Sequence, residues 1–331
     1  MMHDDLKHYA IVADIGGTFA RFARVNLLNL HRDKIAIYTC ADFASIESVF
    51  MAYQSTHALK EITQAAIAIA CPVLDDCICM TNCHWQFSVK ALKNNLNLSR
   101  LQVLNDFNAI AMSIPALAQD EQLQIGNGYV CTAKMKVVLG AGTGLGVASL
   151  ACNQGIYTAY AGEGGHADWG AKTEQEWFIY TFLKNKYTHV SYERLLSGHG
   201  LENLYQAIAA YQQQERPALK AAEIIRLAVS QECSIARDAV SQFFASLGTY
   251  AGDLALTFGA FGGVYIAGGI VPRLLSLMPH SEFRTRFEDK GRFSDFNALI
   301  PTFVITADQP GILGAALNLK QSLIGEYDVV S

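Results

Sequence analysis

Leu101-Gln102-Val103-Leu104-Asn105-Asp106-Phe107-Asn108-Ala109-Ile110-Ala111-Met112 is the stretch on which the fold turns. An apolar run to Leu104 is interrupted by Asn105-Asp106 and passes into a helical pattern from Phe107 to Met112. A carboxylate therefore sits on a strand-to-helix turn, where an α/β sheet presents its reactive groups. Two glycine-rich segments follow strand-like runs elsewhere: Asp14-Ile15-Gly16-Gly17-Thr18 and Gly140-Ala141-Gly142-Thr143-Gly144-Leu145-Gly146.

Outward from that stretch, strands and helices alternate through the first third of the chain. Strands are expected at His8 to Ala13, Arg21 to Val25, Lys34 to Thr39, Ala65 to Ala70 and Leu101 to Leu104. Helices are expected at Ser45 to Gln54 and Ser88 to Leu96, each opened by a serine cap. This is a βαβ pattern with a mixed sheet. Further on, strands are expected at Lys136 to Leu139, Val147 to Ala151 and Ile156 to Tyr160. Helices then dominate: Glu174 to Lys186, Leu201 to Gln213, Ala222 to Ser230, and Ser234 to Phe258, whose apolar residues recur at steps of three and four. Gly263 to Ala267 and Thr302 to Ile305 read as strands, with a helix begun near Pro272 and a final helix from Gly311 to Leu319. No linker is evident, so the pattern predicts two lobes sharing one cleft, with the last helix returning to the first lobe.

Composition limits the function. The chain has 331 residues, 51% hydrophobic and 17% charged, with a net charge of −5 and a pI near 6.0. An acidic balance without a basic run excludes nucleic acid as the main partner. The N-terminus, Met1 to Lys7, is too short and too acidic for a signal peptide, and no apolar window approaches the roughly 20 residues of a membrane span. A cytoplasmic protein is expected. Of eight cysteines, Cys71, Cys77, Cys79 and Cys83 cluster, but their spacing does not match paired zinc sites, so reduced thiols are expected.

The glycine segments match neither a dinucleotide fingerprint, since Leu145 and Val147 stand where glycine is required, nor a Walker loop, since no glycine-lysine-serine/threonine run exists. What remains is two phosphate loops: a tight hairpin at Gly16, Gly17 and Thr18 whose backbone amides approach a phosphate, and a strand–turn–strand loop at Gly142, Thr143 and Gly144 with Thr143 offering a hydroxyl. Asp14 could hold Mg²⁺ through water. Gly268-Gly269, after Val264 to Ala267, could let adenosine lie against the backbone, or could be a simple turn. Asp106 reads as a general base for a hydroxyl, although aspartate at a helix start is also a common cap. In Gly162-Glu163-Gly164-Gly165-His166, three glycines leave Glu163 and His166 protruding from flexible backbone, a carboxylate and an imidazole suited to a polyol. Glu193 stands in the first turn of a short helix. Asp168-Trp169 reads as packing. Together these features point to phosphoryl transfer onto a hydroxyl.

In order along the chain, Cys71-Pro72, Met80-Thr81-Asn82, Leu104 to Phe107, Gly140 to Gly146, Gly162 to His166, Glu193-Arg194 with Ser197-Gly198, Phe261 to Arg273, Phe287 to Phe293, and Pro310-Gly311 with Leu313-Gly314 resemble the bacterial glucokinase family. The resemblance implies a two-domain α/β fold of the actin-like ATPase (ribonuclease H-like) class with an interdomain cleft: a small domain of residues 1–115 with about 306–331, and a large α+β domain of 116–305. It implies ATP- and Mg²⁺-dependent phosphorylation of glucose with Asp106 as base. Asn105, Glu163, His166 and Glu193 would bind the sugar, and Ala13 to Thr18 and the Gly140 loop the phosphates. A homodimer is implied as well. Phe19 stands where the family has asparagine, and Asp75-Asp76 where it has glycine-aspartate. The alternatives are a kinase for another hexose, or a non-catalytic sugar or nucleotide sensor.

Overall fold

The structure, a computed structural model, describes residues 6–80 and 83–327. The N-terminal reading of Met1 to Asp5, and Thr81-Asn82 of the quoted motif, lie outside the described residues. The chain divides into two compact units. One comprises residues up to Ala118, Gln154–Ala161 and Ala307 onward; the other comprises Gln119–Asn153 and Gly162–Thr306.

The first unit is built on a five-stranded mixed sheet. Its order is Arg32–Thr39, Phe19–Asn26, Tyr9–Ile15, Gln64–Ile69, Arg100–Asn105. The first three strands are antiparallel and the last three parallel. Register aligns Ile15 with Ile69 and Ile69 with Asn105, so the parallel strands end level. The Gly16 turn and Asp106 therefore emerge at one edge of the sheet, although about 90 residues separate them. Alternation sends Ile11, Ile15 and Ile67 to one face, against Phe50 and Tyr53 of the helix Ile46–His57. Ala10, Val12, Ala66 and Ala68 go to the other, against Ile312, Ala315 and Leu319 of the helix Pro310–Tyr327. Each fully buried branched side chain contributes about 1.5–3 kcal/mol. The alanines on the second face let the terminal helix lie close. It also crosses the helix Asp106–Ser113 backbone to backbone, since a Cβ on Gly314 would fall 1.6 Å from the Ala109 carbonyl oxygen.

In the second unit the strands run in the order Leu145–Asn153, Lys136–Ala141, Val264–Ala267, Thr302–Ile305, Gln122–Ile125. The middle three are parallel. The helix Ser234–Phe258 is buried along most of its length and ends at Gly259, whose left-handed φ of 56° closes it. Gly248 and Gly252 admit the carbonyls of Phe283 and Phe287 against its backbone. Glu176 and Arg286 form a buried ion pair at 2.7 Å, with Gln242 and Thr249 completing its hydrogen bonds.

The Ser234–Phe258 helix and the Thr302–Ile305 strand lie where periodicity predicts them, and Ser45 and Ser88 cap their helices as expected. The expected helix near Pro272 is only a 3-10 turn, Val271–Leu274, and the terminal helix runs on to Tyr327. The strand Gln122–Ile125 and the small hairpin Cys77–Cys79 with Gln86–Ser88 were not legible. They are short, and Gln122–Ile125 is an edge strand whose side chains alternate too weakly to show a period. Among the described residues no helix is long and apolar enough to cross a membrane.

Candidate functional site

In the first unit, Asn105 and not Asp106 is the helix cap. Asn105 Oδ1 accepts the Phe107 and Asn108 amides at 2.9 and 3.3 Å, and its Nδ2 donates to the Cys71 carbonyl at 3.3 Å. The cap alternative for Asp106 is thus replaced: Asp106 occupies the first helical position, with Oδ1 accepting the Phe107 amide at 2.9 Å. Burial pushes its carboxyl up to about 6, the Asp14 charge adds to that, and the Phe107 amide opposes it. Asp14 lies on the same face of the sheet, paired with Arg21. Burial raises its carboxyl too, against the Arg21 guanidinium. A Cβ on Gly311 would fall 2.9 Å from Asp14 Oδ2, so this carboxylate rests on the first turn of the terminal helix, whose positive end favours an anion. No described residue donates a hydrogen bond to it, and a desolvated carboxylate without a donor fits a hydrated Mg²⁺. Ala13 and Ile15 are fully buried, so only their backbone can reach a phosphate. The Gly16 turn closes through its amide on the Phe19 carbonyl at 2.9 Å.

In the second unit the two glycine segments prove to be neighbours. Ala267 pairs with Gly140 in parallel register, and the Ile270 amide donates to Ala141 at 3.3 Å. A Cβ on Gly140 would lie 2.8 Å from the Ala267 carbonyl carbon, and one on Gly268, at φ 86°, 2.3 Å from the Ala141 carbonyl oxygen. Gly142 closes its turn on Gly144 at 2.8 Å and accepts from Gly198 at 2.9 Å. Thr143 is exposed. The Cβ positions of Gly142 and Gly269 are open, with no atom within 4 Å.

Glu193, in the 3-10 turn Tyr192–Arg194, accepts the Leu145 amide on Oε2 at 2.9 Å. Glu163 and His166 are exposed at the two ends of a turn closed by the His166 amide on the Glu163 carbonyl at 3.0 Å. The expectation of flexible backbone here is corrected. Gly165 is buried with its Cβ position 2.1 Å from the Leu145 carbonyl oxygen, and that of Gly164 is 2.6 Å from the Tyr250 hydroxyl. These glycines serve close packing. Tyr250 stacks on Tyr192 at 4.1 Å, and its buried hydroxyl has no partner among the described residues. Segment 167–169 is zipped to 190–192 by the Trp169 amide on Val190, the Tyr192 amide on Ala167, both at 3.0 Å, and the Asp168–Ser191 bridge. That ladder joins the His166 turn to Glu193.

Sequence reasoning missed Arg21 and His189, and it quoted Gly198 and Gly311 only within the family resemblance; the place of all four comes from register and packing. All eight cysteines are free thiols, and among the described residues no three metal-ligating side chains converge.

A family model described as Glucokinase matches residues 11–322. A glucokinase of Erwinia tasmaniensis is 44% identical over 96% of this chain and 99% of its own. The crystal structure of a glucokinase from an Antarctic psychrotroph superposes with a TM-score of 0.87 at 35% identity, covering 95% of this chain and 99% of that one. A glucokinase of the ROK family from Streptomyces griseus, solved with glucose and AMPPNP, shares the fold at TM-score 0.64 and 18% identity, covering 95% and 99% of the two chains. The chain belongs to the glucokinase family.

Proposed function

We propose that the chain is an ATP-dependent glucokinase in which Asp106 takes the proton from the 6-hydroxyl of glucose as that oxygen receives the γ-phosphoryl group. The observation that carries this reading is the state of Asp106. Its carboxyl, pushed up to about 6, is ionised near neutral pH yet basic enough to accept a proton. Because Asn105 does the capping, both Asp106 oxygens are not committed to the helix: Oδ2 remains for the sugar.

The other residues divide the binding. Asn105 has one Nδ2 hydrogen left after Cys71. Glu193 has Oε1 left after the Leu145 amide. With Glu163 and His166 these groups hydrogen-bond the sugar hydroxyls and orient O6. Amides of Gly17 and Thr18, and of Thr143 and Gly144, hold the phosphates in turns that the Gly16 and Gly142 amides close, while Gly268-Gly269 receives the adenosine. Asp14 would hold Mg²⁺ through water, and the ion would there supply neutralisation of phosphate charge. A cytoplasmic homodimer is the setting that the family resemblance implies, and light scattering checks the assembly.

The test is Asp106→Asn in a coupled assay for glucose 6-phosphate with ATP and Mg²⁺. Asparagine keeps the shape and removes the base. The expected loss in kcat is about 10²–10⁴-fold, with glucose binding still seen by calorimetry. Turnover close to the parent would sink the base assignment, and parent protein inert with ATP and glucose would sink the activity.

A further inference from the structure

We propose that His189 is a positioning residue that holds the Glu163–His166 turn in its sugar-binding shape, an inference that rests on assigning that turn to the sugar. His189 Nε2 lies 2.7 Å from the His166 carbonyl oxygen, and Nδ1 lies 3.2 Å from Asp168 Oδ1. Both neighbours are acceptors. The Nε2 hydrogen donates to the His166 carbonyl, and the Asp168 carboxylate stands on the Nδ1 side of the ring. The imidazole thus clamps the peptide that follows the His166 side chain.

The clamp lies at the end of a short ladder. Trp169 to Val190 and Tyr192 to Ala167 are its backbone rungs. The ladder is antiparallel, so His166 and Glu193, which accepts the Leu145 amide of the second glycine loop, lie together beyond one end, and His189 stands beyond the other and reaches back along it. The ladder fixes the strand segments, but the turn itself protrudes beyond them, and the side chain that holds its last carbonyl is His189. The side chains of His189 and Asp168 are 51% and 88% exposed, so their pairing adds little to global stability. A clamp that hardly stabilises the fold yet fixes one carbonyl next to a ligand group is suited to preorganisation.

The experiment compares His189→Ala and His189→Gln with the parent, reading KM for glucose, KM for ATP, glucose affinity by calorimetry and Tm. Loss of the clamp should raise KM and Kd for glucose about 3- to 10-fold, the worth of one hydrogen bond. KM for ATP and Tm should stay at the parent values. In His189→Gln an amide N–H can reach the same carbonyl, so glucose affinity should return to within about twofold of the parent. Unchanged glucose affinity in His189→Ala, equal rises in both KM values, or no rescue by glutamine would each overturn the proposal. Glu163→Gln and His166→Ala serve as references. If they too leave glucose binding untouched, the sugar assignment of the turn has failed; if they weaken it while His189→Ala does not, only the clamp has failed.

Discussion

The two glycine turns look alike in sequence and differ in what makes them glycine. At the first, a Cβ on Gly16 would meet nothing closer than the Phe19 carbonyl oxygen at 3.8 Å. At the second, Gly140 is pressed on Ala267 at 2.8 Å, Gly144 on Glu193 Oε2 at 2.6 Å, and Gly268 on Ala141 at 2.3 Å. The second turn is glycine-rich because two parallel strands and a carboxylate crowd it. The first is open, and its glycine leaves room for something other than protein. One sequence signature thus reports packing in one unit and access in the other.

Gly140→Ala should break the contrast most visibly. Its methyl would run into main chain that cannot rotate away, and overpacking of this kind costs about 1–3 kcal/mol, here expected at the upper end. Urea denaturation of the parent and variant checks it, and an undiminished midpoint would show that the strand pair can part. Next in size is Asp106→Asn, read as stability. The folded carboxyl, at about 6 against 3.8 when free, holds its proton more tightly than the unfolded chain does. Its contribution is therefore full in acid and is lost as pH rises through about 6. The asparagine variant should exceed the parent by about 2 kcal/mol at neutral and alkaline pH, after allowing for partial exposure, and the gap should close near pH 4. A gap that stays constant with pH would deny the shift. In the parent, kcat/KM should fall on the acid side with a midpoint near 6. Glu193→Gln is smaller. It keeps an acceptor for the Leu145 amide but removes the charge, worth about 1 kcal/mol in Tm-derived stability. A larger loss would mean that the carboxylate is the main brace of the second turn.

These contrasts show which parts of the molecule were legible. Asp106 at a strand-to-helix turn could be read because an apolar run, two polar residues and a helical period are local signals, and the 25-residue helix Ser234–Phe258 could be read for the same reason. Register could not. Nothing in the sequence says that Ala267 lies beside Gly140, or that Asp14 shares a face with Arg21, because pairing is chosen by the whole sheet. The rigidity of Gly164-Gly165 was misread since glycine permits both freedom and close approach, and only the neighbouring Leu145 carbonyl and Tyr250 hydroxyl decide between them. His189 was invisible because its partners, His166 and Asp168, are more than 20 residues away.

The smallest effect on stability should come from Gly16→Ala, and it is the most informative about the first turn. Gly16 does not have a positive φ, so alanine can adopt its backbone conformation, and the nearest atom at 3.8 Å is in ordinary contact range. Stability should stay within about 0.5 kcal/mol of the parent, as for an unconstrained surface position. If the amides of this turn cradle a phosphate, the added methyl stands where the nucleotide must approach, and KM for ATP should rise severalfold while KM for glucose holds. Gly142→Ala gives the same reading in the second unit, at the one described position of that turn where a Cβ meets no atom within 4 Å. A rise in KM for ATP in both variants, with both folds intact, would separate access from packing within one turn. If Gly142→Ala weakened ATP and Gly16→Ala did not, the openness at Gly16 would serve the sugar side of the chemistry, and the phosphate role would shift to the second turn alone.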